Sequence, residues 1–288
     1  MLKTSSEQLA DLARSRSERV NIGSTAAWLY PSQGPIAKVL MIHGFRGNHL
    51  GLSAIAGAMT DMQVLIPDLP GFGKTSPLNK HSLDEYGAWL KHLFEQLDED
   101  WIVLGHSFGS LVVANAIGQG MLCKAVVLQN PITTRSSEQK DFANRIARAF
   151  YRVTPRLGRL GSAFMRSWLV VRGMSVAMAT TKNLRLRSWI HSQHAKHFSC
   201  YQEDRVALEG FEAASSGSVM DYSQKFSTPV LLIAGERDMI APLRNQLLAE
   251  KSIASAELSV IPNVGHLTHY ETPNEVAQLV RDFVAKIL

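Results

Sequence analysis

The chain has 288 residues, of which 45% are hydrophobic and 19% are charged, and its formal net charge is +5. This length and composition exclude a disordered or fibrous chain and allow a large buried core. No window of eighteen uncharged apolar residues occurs, so we expect no transmembrane helix. Residues 1–19 are too charged for a signal peptide, and Cys123 and Cys200 form neither a disulfide framework nor a metal spacing. The sequence therefore predicts a cytoplasmic protein.

The first part of the chain alternates strand and helix patterns. A hairpin is predicted at residues 20–30, and helical patterns are predicted at 52–61, 83–97 and 111–117. The helix at 83–97 follows the capping-box sequence Ser-Leu-Asp-Glu at 82–85. Apolar or β-branched runs, which are typical of strands buried on both faces, predict strands at 36–42, 62–67, 101–104 and 124–129.

Residues 131–226 interrupt this alternation. They show helical patterning without a clean buried strand. They carry 15 Lys and Arg residues against 7 Asp and Glu residues, whereas the rest of the chain carries 15 Lys and Arg residues against 18 Asp and Glu residues. Between Phe142 and Gln202 there is no acidic residue. We therefore expect a strongly basic helical insertion between two parts of one near-neutral core, residues 1–130 and 227–288.

The alternation then resumes. Strands are predicted at 229–234 and 258–261, Pro242 opens a helix between them, and Thr272 and Glu275 form a predicted capping box for the last helix. Strands that alternate with helices predict an α/β fold with a mostly parallel, doubly wound sheet.

Three polar residues follow predicted strands in the order Ser107, Asp238 and His266. Because ligands in such sheets sit beyond the carboxyl ends of the strands, we expect these side chains to meet at one edge. A serine hydroxyl is a poor nucleophile at neutral pH and needs an imidazole to accept its proton. The imidazole in turn needs a carboxylate to fix its tautomer. The order predicts a catalytic triad.

The sequence around Ser107 suits a sharp turn. It reads Gly-His-Ser-Phe-Gly at residues 105–109, between a predicted strand and a predicted helix. A serine on a tight strand-to-helix turn crowds the residues two positions away on each side, and glycines occupy both positions. The pattern predicts a nucleophile elbow.

A fourth loop, after the strand at 36–42, contains His43, Gly44 and Phe45. We expect the backbone amide of Phe45 to lie beside that of Phe108, where the two would stabilise a developing oxyanion. His43 and His106 are interpreted chiefly as residues that orient loops, and together with Gly44 they are the candidates for substrate contact.

With these motifs the sequence resembles the α/β-hydrolase superfamily over nearly its whole length. The matching segments are residues 43–45, 68–73, 105–109, 235–238 and 265–266. The resemblance implies a serine-nucleophile member in which residues 131–226 form a helical cap.

Residues at three positions differ from the patterns of particular groups within this superfamily. Ser107 argues against epoxide hydrolases and haloalkane dehalogenases, which use an aspartate nucleophile. Phe108 departs from the Met that usually follows the serine in cofactor-free haloperoxidases. Leu267 departs from the Trp that commonly follows the histidine in carbon–carbon bond hydrolases.

Rival residues exist for two members of the triad. His269 competes with His266, although the glycine before His266 suits a tight loop. Glu236 competes with Asp238, and the other place where family members keep the acid is Asn130, which cannot carry the charge. Asp68, in the loop before a Pro-Gly turn, is interpreted as structural.

The insertion offers three further patterns. His191, His194 and His197 recur every third residue, and without a nearby Cys, Asp or Glu we favour a solvated helix face over a metal site. The apolar residues are predicted either to pack on the sheet or to line an acyl pocket: Phe164, Met165, Trp168, Leu169, Val170, Val171, Met174 and Met178. Part of the arginine series predicts one helical stripe: Arg145, Arg148, Arg152, Arg156, Arg159 and Arg166.

The function predicted from these patterns is hydrolysis of a carboxylic ester or related acyl bond through an acyl-enzyme, as in carboxylesterases and lipases. There are two alternatives. The first is a carbon–carbon bond hydrolase, a lyase or an acyltransferase that uses the same triad, and the second is a non-catalytic protein that binds a small ligand. No metal or organic cofactor and no nucleic acid are expected. The substrate would be a small acyl compound, and the basic insertion is either a solvated face or a contact with an anionic membrane or anionic substrate.

Overall fold

The computed structural model describes residues 4–97, 100–135, 149–151 and 153–288. Its strands are β1 (Glu18–Ile22), β2 (Thr25–Tyr30), β3 (Lys38–Ile42), β4 (Gln63–Pro67), β5 (Trp101–His106), β6 (Ala125–Gln129), β7 (Val230–Gly235) and β8 (Ala256–Ile261). These strands form one sheet in the order β1-β2-β4-β3-β5-β6-β7-β8. The pairs β1–β2 and β2–β4 are antiparallel, and the remaining pairs are parallel.

Helices flank the sheet and fill the insertion. They are α1 (Ser6–Arg16), α2 (Ser53–Ala58), α3 (Leu83–Phe94), α4 (Phe108–Gly118), α5 (Gly158–Met165), α6 (Trp168–Met178), α7 (Leu184–His197), α8 (Asp204–Ser216), α9 (Leu243–Ser252), α10 (Thr268–Glu271) and α11 (Pro273–Ile287). Short 3-10 helices lie at His49–Leu52, Thr154–Leu157 and Val219–Lys225. In the described part of the chain, none of the helices combines the length and apolar character needed to cross a bilayer.

The sheet is buried on both faces. On β3, Leu40 and Ile42 belong to an apolar cluster that includes residues of α3, α4 and α9. The alternate residues Val39 and Met41 belong to a second cluster with residues of α1, α2 and α11. Successive side chains of a strand point to opposite faces, so a continuous apolar run is what a sheet covered by two helical layers requires. The predicted fold class is confirmed.

Two helix beginnings differ from the sequence predictions. Helix α1 was not predicted, although Ser5 and Gln8 form a capping box in which each side chain bonds the other residue's backbone N–H. The predicted box at the last helix is wrong, because Thr272 makes no capping hydrogen bond. Its hydroxyl donates instead to the carbonyl of Thr268, 3.2 Å away in the short helix α10 that comes directly before.

The insertion is helical in its described part, and its boundaries at 131 and 226 stay a prediction. Met165 and Val171 are buried, but Phe164, Trp168 and Leu169 are 50%, 65% and 69% exposed, so packing on the sheet is wrong for these three. The reason is that α5 and α6 turn them away from the core. Of the predicted arginine stripe, Arg145, Arg148 and Arg152 lie outside the described residues.

Candidate active site

Ser107 lies on a strained turn between β5 and α4, with a φ of 53°. Residues other than glycine rarely adopt this backbone conformation, and the strained conformation persists only where the surrounding structure enforces it. A Cβ at Gly105 would lie 2.6 Å from the carbonyl oxygen of Gly109, and one at Gly109 would lie 2.2 Å from that of Ile42. The two glycines therefore leave the space that the sequence pattern predicts for an elbow.

The side chains of Ser107, His266 and Asp238 form one chain of hydrogen bonds. His266 Nε2 lies 2.8 Å from Ser107 Oγ, and His266 Nδ1 lies 2.7 Å from Asp238 Oδ2. Because the ionised carboxylate can only accept, Nδ1 carries the proton and Nε2 is left to accept from the serine hydroxyl. The structure thus brings the three predicted residues together in the geometry that proton transfer from Ser107 needs.

The two rival residues make other contacts. The ring of His269 contacts that of His106 at a tilt of 52°, with 4.1 Å between centroids, and its buried Nδ1 has no hydrogen-bond partner within the described residues. Glu236 accepts the backbone N–H of Asn263 at 2.7 Å on an exposed loop. Neither side chain takes part in the chain of bonds at Ser107.

Asp238 is buried and fully engaged. Its Oδ1 accepts the backbone N–H groups of Ile240 and Ala241 at 2.8 and 2.9 Å, while Oδ2 accepts Asn130 Nδ2 at 2.8 Å and the ring of His266. Burial alone would raise its pKa, but the attraction of His266 and these hydrogen bonds outweigh burial and lower the pKa to about 2. The carboxylate therefore stays ionised through the pH range in which imidazoles titrate.

Asn130 has a role that sequence reasoning missed. It has a left-handed φ of 46° directly after β6, and its amide nitrogen donates to Asp238. Its amide oxygen accepts the hydroxyl of Thr268, which in turn accepts Gln129 Nε2 at 2.7 Å. The residue that cannot carry the negative charge instead orients the carboxylate that does. Its place at the carboxyl end of a strand was the available signal.

The loop after β3 is held by His43. The N–H of Leu69 donates to His43 Nε2 at 2.9 Å, so the neutral ring carries its proton on Nδ1 and donates it to the carbonyl of Gly44 at 2.9 Å. The N–H of Gly47 also donates to that carbonyl, at 3.2 Å. Since a trans peptide directs its carbonyl and N–H oppositely, these bonds also fix the direction of the Phe45 N–H.

The second predicted oxyanion donor begins α4. Phe108 is the first residue of that helix, where backbone N–H groups have no partner within the helix. The two loops are in close contact, because a Cβ at Gly44 would lie 3.3 Å from Ser107 Cβ. The predicted donors therefore belong to adjoining backbone segments beside Ser107.

A cavity of about 350 Å³ opens at Ser107 and His266. The predicted contact residues His43, Gly44 and His106 line it, and the insertion contributes Met174, Met178, His194, Phe198 and Phe211 among others. None of the described residues that line it is an Asp, Glu, Lys or Arg. The wall is mostly apolar, as expected of a site for a small organic molecule.

The cavity histidines other than His266 are held neutral. Burial lowers the pKa of His106 and of His194 to about 3, and it lowers the pKa values of His43 and His269 as well. The predicted solvated histidine face is wrong, because His194 and His191 are buried and their Nδ1 atoms lie 2.7 and 2.6 Å from Ser175 Oγ. Within the described ranges no cluster of side chains could hold a metal ion.

A family model described as alpha/beta hydrolase fold matches residues 38–273. The chain belongs to the α/β-hydrolase fold family. This α/β-hydrolase is 29% identical over 91 residues to the monoacylglycerol lipase ABHD6 of Mus musculus. The match covers 32% of this chain and spans about a quarter of that relative, 26% of its length.

Two other similar proteins match over most of this chain. The 2-hydroxymuconate semialdehyde hydrolase of Pseudomonas putida is 23% identical over 278 residues, which cover 88% of this α/β-hydrolase and 89% of that protein. The solved structure of a thermophilic esterase from Thermogutta terrifontis, with malate bound, has a TM-score of 0.75 at 21% identity and covers 94% of this chain and 99% of its own. At this identity the structural likeness shows the fold.

In this α/β-hydrolase, Arg46 ties the loop of Phe45 to the insertion. Its side chain is fully buried and donates to the carbonyls of Phe198 and Met165 at 3.1 and 3.0 Å. Further bonds reach the hydroxyls of Tyr151 and Ser199, at 3.0 and 2.6 Å. Sequence reasoning missed this residue, since its partners are more than 100 positions away and carry no charge.

A second tie reaches the loop of His266. The N–H of Gly265, directly before the histidine, donates to Thr180 Oγ1 at 2.9 Å. The N–H and hydroxyl of Thr180 donate in turn to the carboxylate of Glu271, at 2.7 and 2.8 Å. The insertion thus bonds the chain next to Phe45 and next to His266.

Proposed function

We propose that this α/β-hydrolase is a serine hydrolase that cleaves an uncharged carboxylic ester or a related acyl bond. The observation that carries the proposal is the unbroken chain of hydrogen bonds from Ser107 through His266 to Asp238, at 2.8 and 2.7 Å. This chain lies beside a cavity in which none of the described wall residues is an Asp, Glu, Lys or Arg. A relay of this kind turns a serine hydroxyl into a nucleophile.

In the proposed mechanism, Ser107 Oγ attacks the acyl carbon while His266 Nε2 takes the hydroxyl proton. The N–H groups of Phe45 and Phe108 stabilise the oxyanion of the tetrahedral intermediate. His266 then gives the proton to the leaving alcohol, and an acyl-enzyme on Ser107 remains. Water, deprotonated by His266, attacks this ester, and the acid product leaves with Ser107 restored. Asp238 keeps His266 in the required tautomer and stabilises its charged form.

The cavity supports an apolar acyl group as the substrate class. Its wall offers apolar side chains and neutral histidines, so a charged acyl chain would be buried without a described partner. In this proposal residues 131–226 are the cap that closes the cavity. The relatives named lipase and esterase support the acyl bond, and the one named 2-hydroxymuconate semialdehyde hydrolase supports carbon–carbon cleavage as the second candidate.

The test compares wild-type protein with Ser107→Ala on nitrophenyl butyrate and with a fluorophosphonate probe. We expect the substitution to lower kcat about 10⁴-fold or more and to abolish labelling, because Ser107 carries the acyl group in the proposed mechanism. Ser15→Ala, which changes an exposed serine on α1, is the matched control and should behave as wild type. Ser107→Ala protein that still labels would place the nucleophile elsewhere.

Two further outcomes separate the alternatives. Wild-type protein that neither labels nor turns over esters would indicate a binding protein. Product analysis with an added alcohol or thiol identifies an acyltransferase, because the acyl group would then appear on the acceptor rather than as free acid.

A further inference from the structure

Large apolar side chains cover the outside of α5, α6 and the turn before them. They are each between 49% and 81% exposed, and we call them the outer cap face: Val153, Leu157, Leu160, Phe164, Trp168, Leu169 and Val176. Leu157, Leu160 and Phe164 are spaced by three and four residues, which places them on one side of a helix. Apolar surface concentrated in this way marks an interaction site, whereas single exposed leucines are ordinary.

Helix α6 is apolar on two opposite sides. Val171 and Ser175 are buried, and Met174 and Met178 on the same side line the cavity. Leu169 and Val176 on the other side are exposed. A helix with apolar residues on two opposite sides is expected to be covered on both, and among the described residues the outer side of α6 has no partner.

The charge around this face indicates which partner fits. Arg159 and Arg172 are exposed among the apolar residues, and no acidic residue occurs between Phe142 and Gln202. Arginines that border exposed leucine, phenylalanine and tryptophan are typical of helices that lie in the interface of an anionic bilayer. In such helices the apolar side chains enter the acyl region of the bilayer, and the guanidinium groups remain at the headgroups.

The same charges do not suit an anionic substrate. Among the described residues the cavity wall has no Arg or Lys, whereas Arg159 and Arg172 are exposed among the residues of the outer cap face. A negatively charged molecule in the cavity would therefore lie apart from these arginines.

We propose that the outer cap face binds peripherally to an anionic lipid bilayer. Resting on the proposed function, we further infer that the acyl substrate is a lipid ester dissolved in that bilayer, which reaches the cavity from the cap side. Helix α6 then separates lipid on its outer side from the acyl-binding cavity on its inner side.

The binding test uses Ser107→Ala protein, so that vesicles stay intact. Sedimentation is compared on phosphatidylcholine vesicles and on vesicles that also contain phosphatidylglycerol, at low and at high salt. We expect strong binding to the anionic vesicles alone, weakened by salt. Replacing Leu160, Trp168 and Leu169 together by Ser should weaken that binding at least about tenfold, because three exposed apolar anchors are lost.

Leu122→Ser is the matched control, since Leu122 is 70% exposed but precedes β6 at the opposite end of the sheet. In a background with Ser107 intact, the triple substitution should leave hydrolysis of soluble nitrophenyl butyrate at the wild-type rate, which also shows that the protein folds. Equal binding to neutral and anionic vesicles, or unchanged binding of the triple variant, would overturn the proposal. Vesicle binding by Ser107→Ala protein, combined with wild-type protein that hydrolyses no ester, would overturn the proposed function and leave the membrane site standing.

Discussion

Helices α4 and α6 have the same length of 11 residues and similarly apolar sequences, yet their surroundings are opposite. In α4 every residue from Phe108 to Ile117 is buried, because the helix lies between the sheet and α3. In α6 only Val171 and Ser175 are buried among its residues. Apolar composition therefore shows that a helix needs cover, and the partners decide whether the chain supplies it.

The two helices also divide the proposed work. Helix α4 begins directly after Ser107 and carries the Phe108 amide, so its position fixes the reacting groups. Helix α6 contributes Met174 and Met178 to the cavity and faces outward with Leu169 and Val176. If this division is right, small changes in α4 should damage both stability and chemistry, whereas similar changes in α6 should be tolerated.

The largest effect is expected for Gly109→Ala in α4. The new methyl group would lie 2.2 Å from the carbonyl oxygen of Ile42 and 2.8 Å from that of His43, and backbone cannot move aside as a flexible side chain can. We expect the free energy of unfolding to fall by about 3 kcal/mol and ester hydrolysis to fall with it. Urea unfolding measures the first quantity. A wild-type midpoint would show that α4 is less tightly held than its burial indicates.

An intermediate effect is expected for Arg46→Met, which cuts a tie between the core and the insertion. The carbonyl of Met165, in a buried setting, and that of Phe198, in a partly buried one, would lose their side-chain donor. We expect a loss of about 2–3 kcal/mol of stability and faster hydrogen exchange around these two residues, with exchange in α4 unchanged. Arg46→Lys, which keeps the charge but cannot span all four acceptors, should fall in between. Faster exchange in α4 would contradict the division.

The smallest effect, and of opposite sign, is expected for Gly173→Ala in α6. A Cβ at this exposed position meets no described atom within 4 Å. Alanine favours a helix interior over glycine by about 1 kcal/mol, so stability should rise by up to that amount with unchanged hydrolysis of soluble esters. Thermal unfolding provides the measurement. A loss of stability would contradict the open surroundings of this position.

Local sequence patterns predicted the core well for a physical reason. Strands such as β3 and β5 are buried on both faces, so their continuous apolar runs are visible without knowledge of their neighbours. Ser107, Asp238 and His266 each follow such a strand directly, and parallel strands bring their carboxyl ends to one edge. Position along the chain was therefore enough to group them.

What the sequence did not reveal depends on distant partners. Arg46 bonds residues more than 100 positions away, and Asn130 acts on a carboxylate 108 positions later. His194 was expected in solvent, but its burial beside Ser175 follows from the way α6 and α7 pack. The exposed sides of Phe164, Trp168 and Leu169 were mispredicted because periodicity gives a face and does not say what lies opposite.

The hydrogen bonds of Arg46 and Thr180 couple the position of the insertion to the geometry of the proposed catalytic residues. Lifting the insertion far enough to break them would release the peptide beside Phe45 and the peptide before His266, which are parts of the proposed reaction machinery. If a bulky lipid enters only when the insertion is lifted, its entry and the cleavage of its ester would then require different positions of the insertion. The lifted position would lack the backbone geometry needed for hydrolysis, and return of the insertion would restore it.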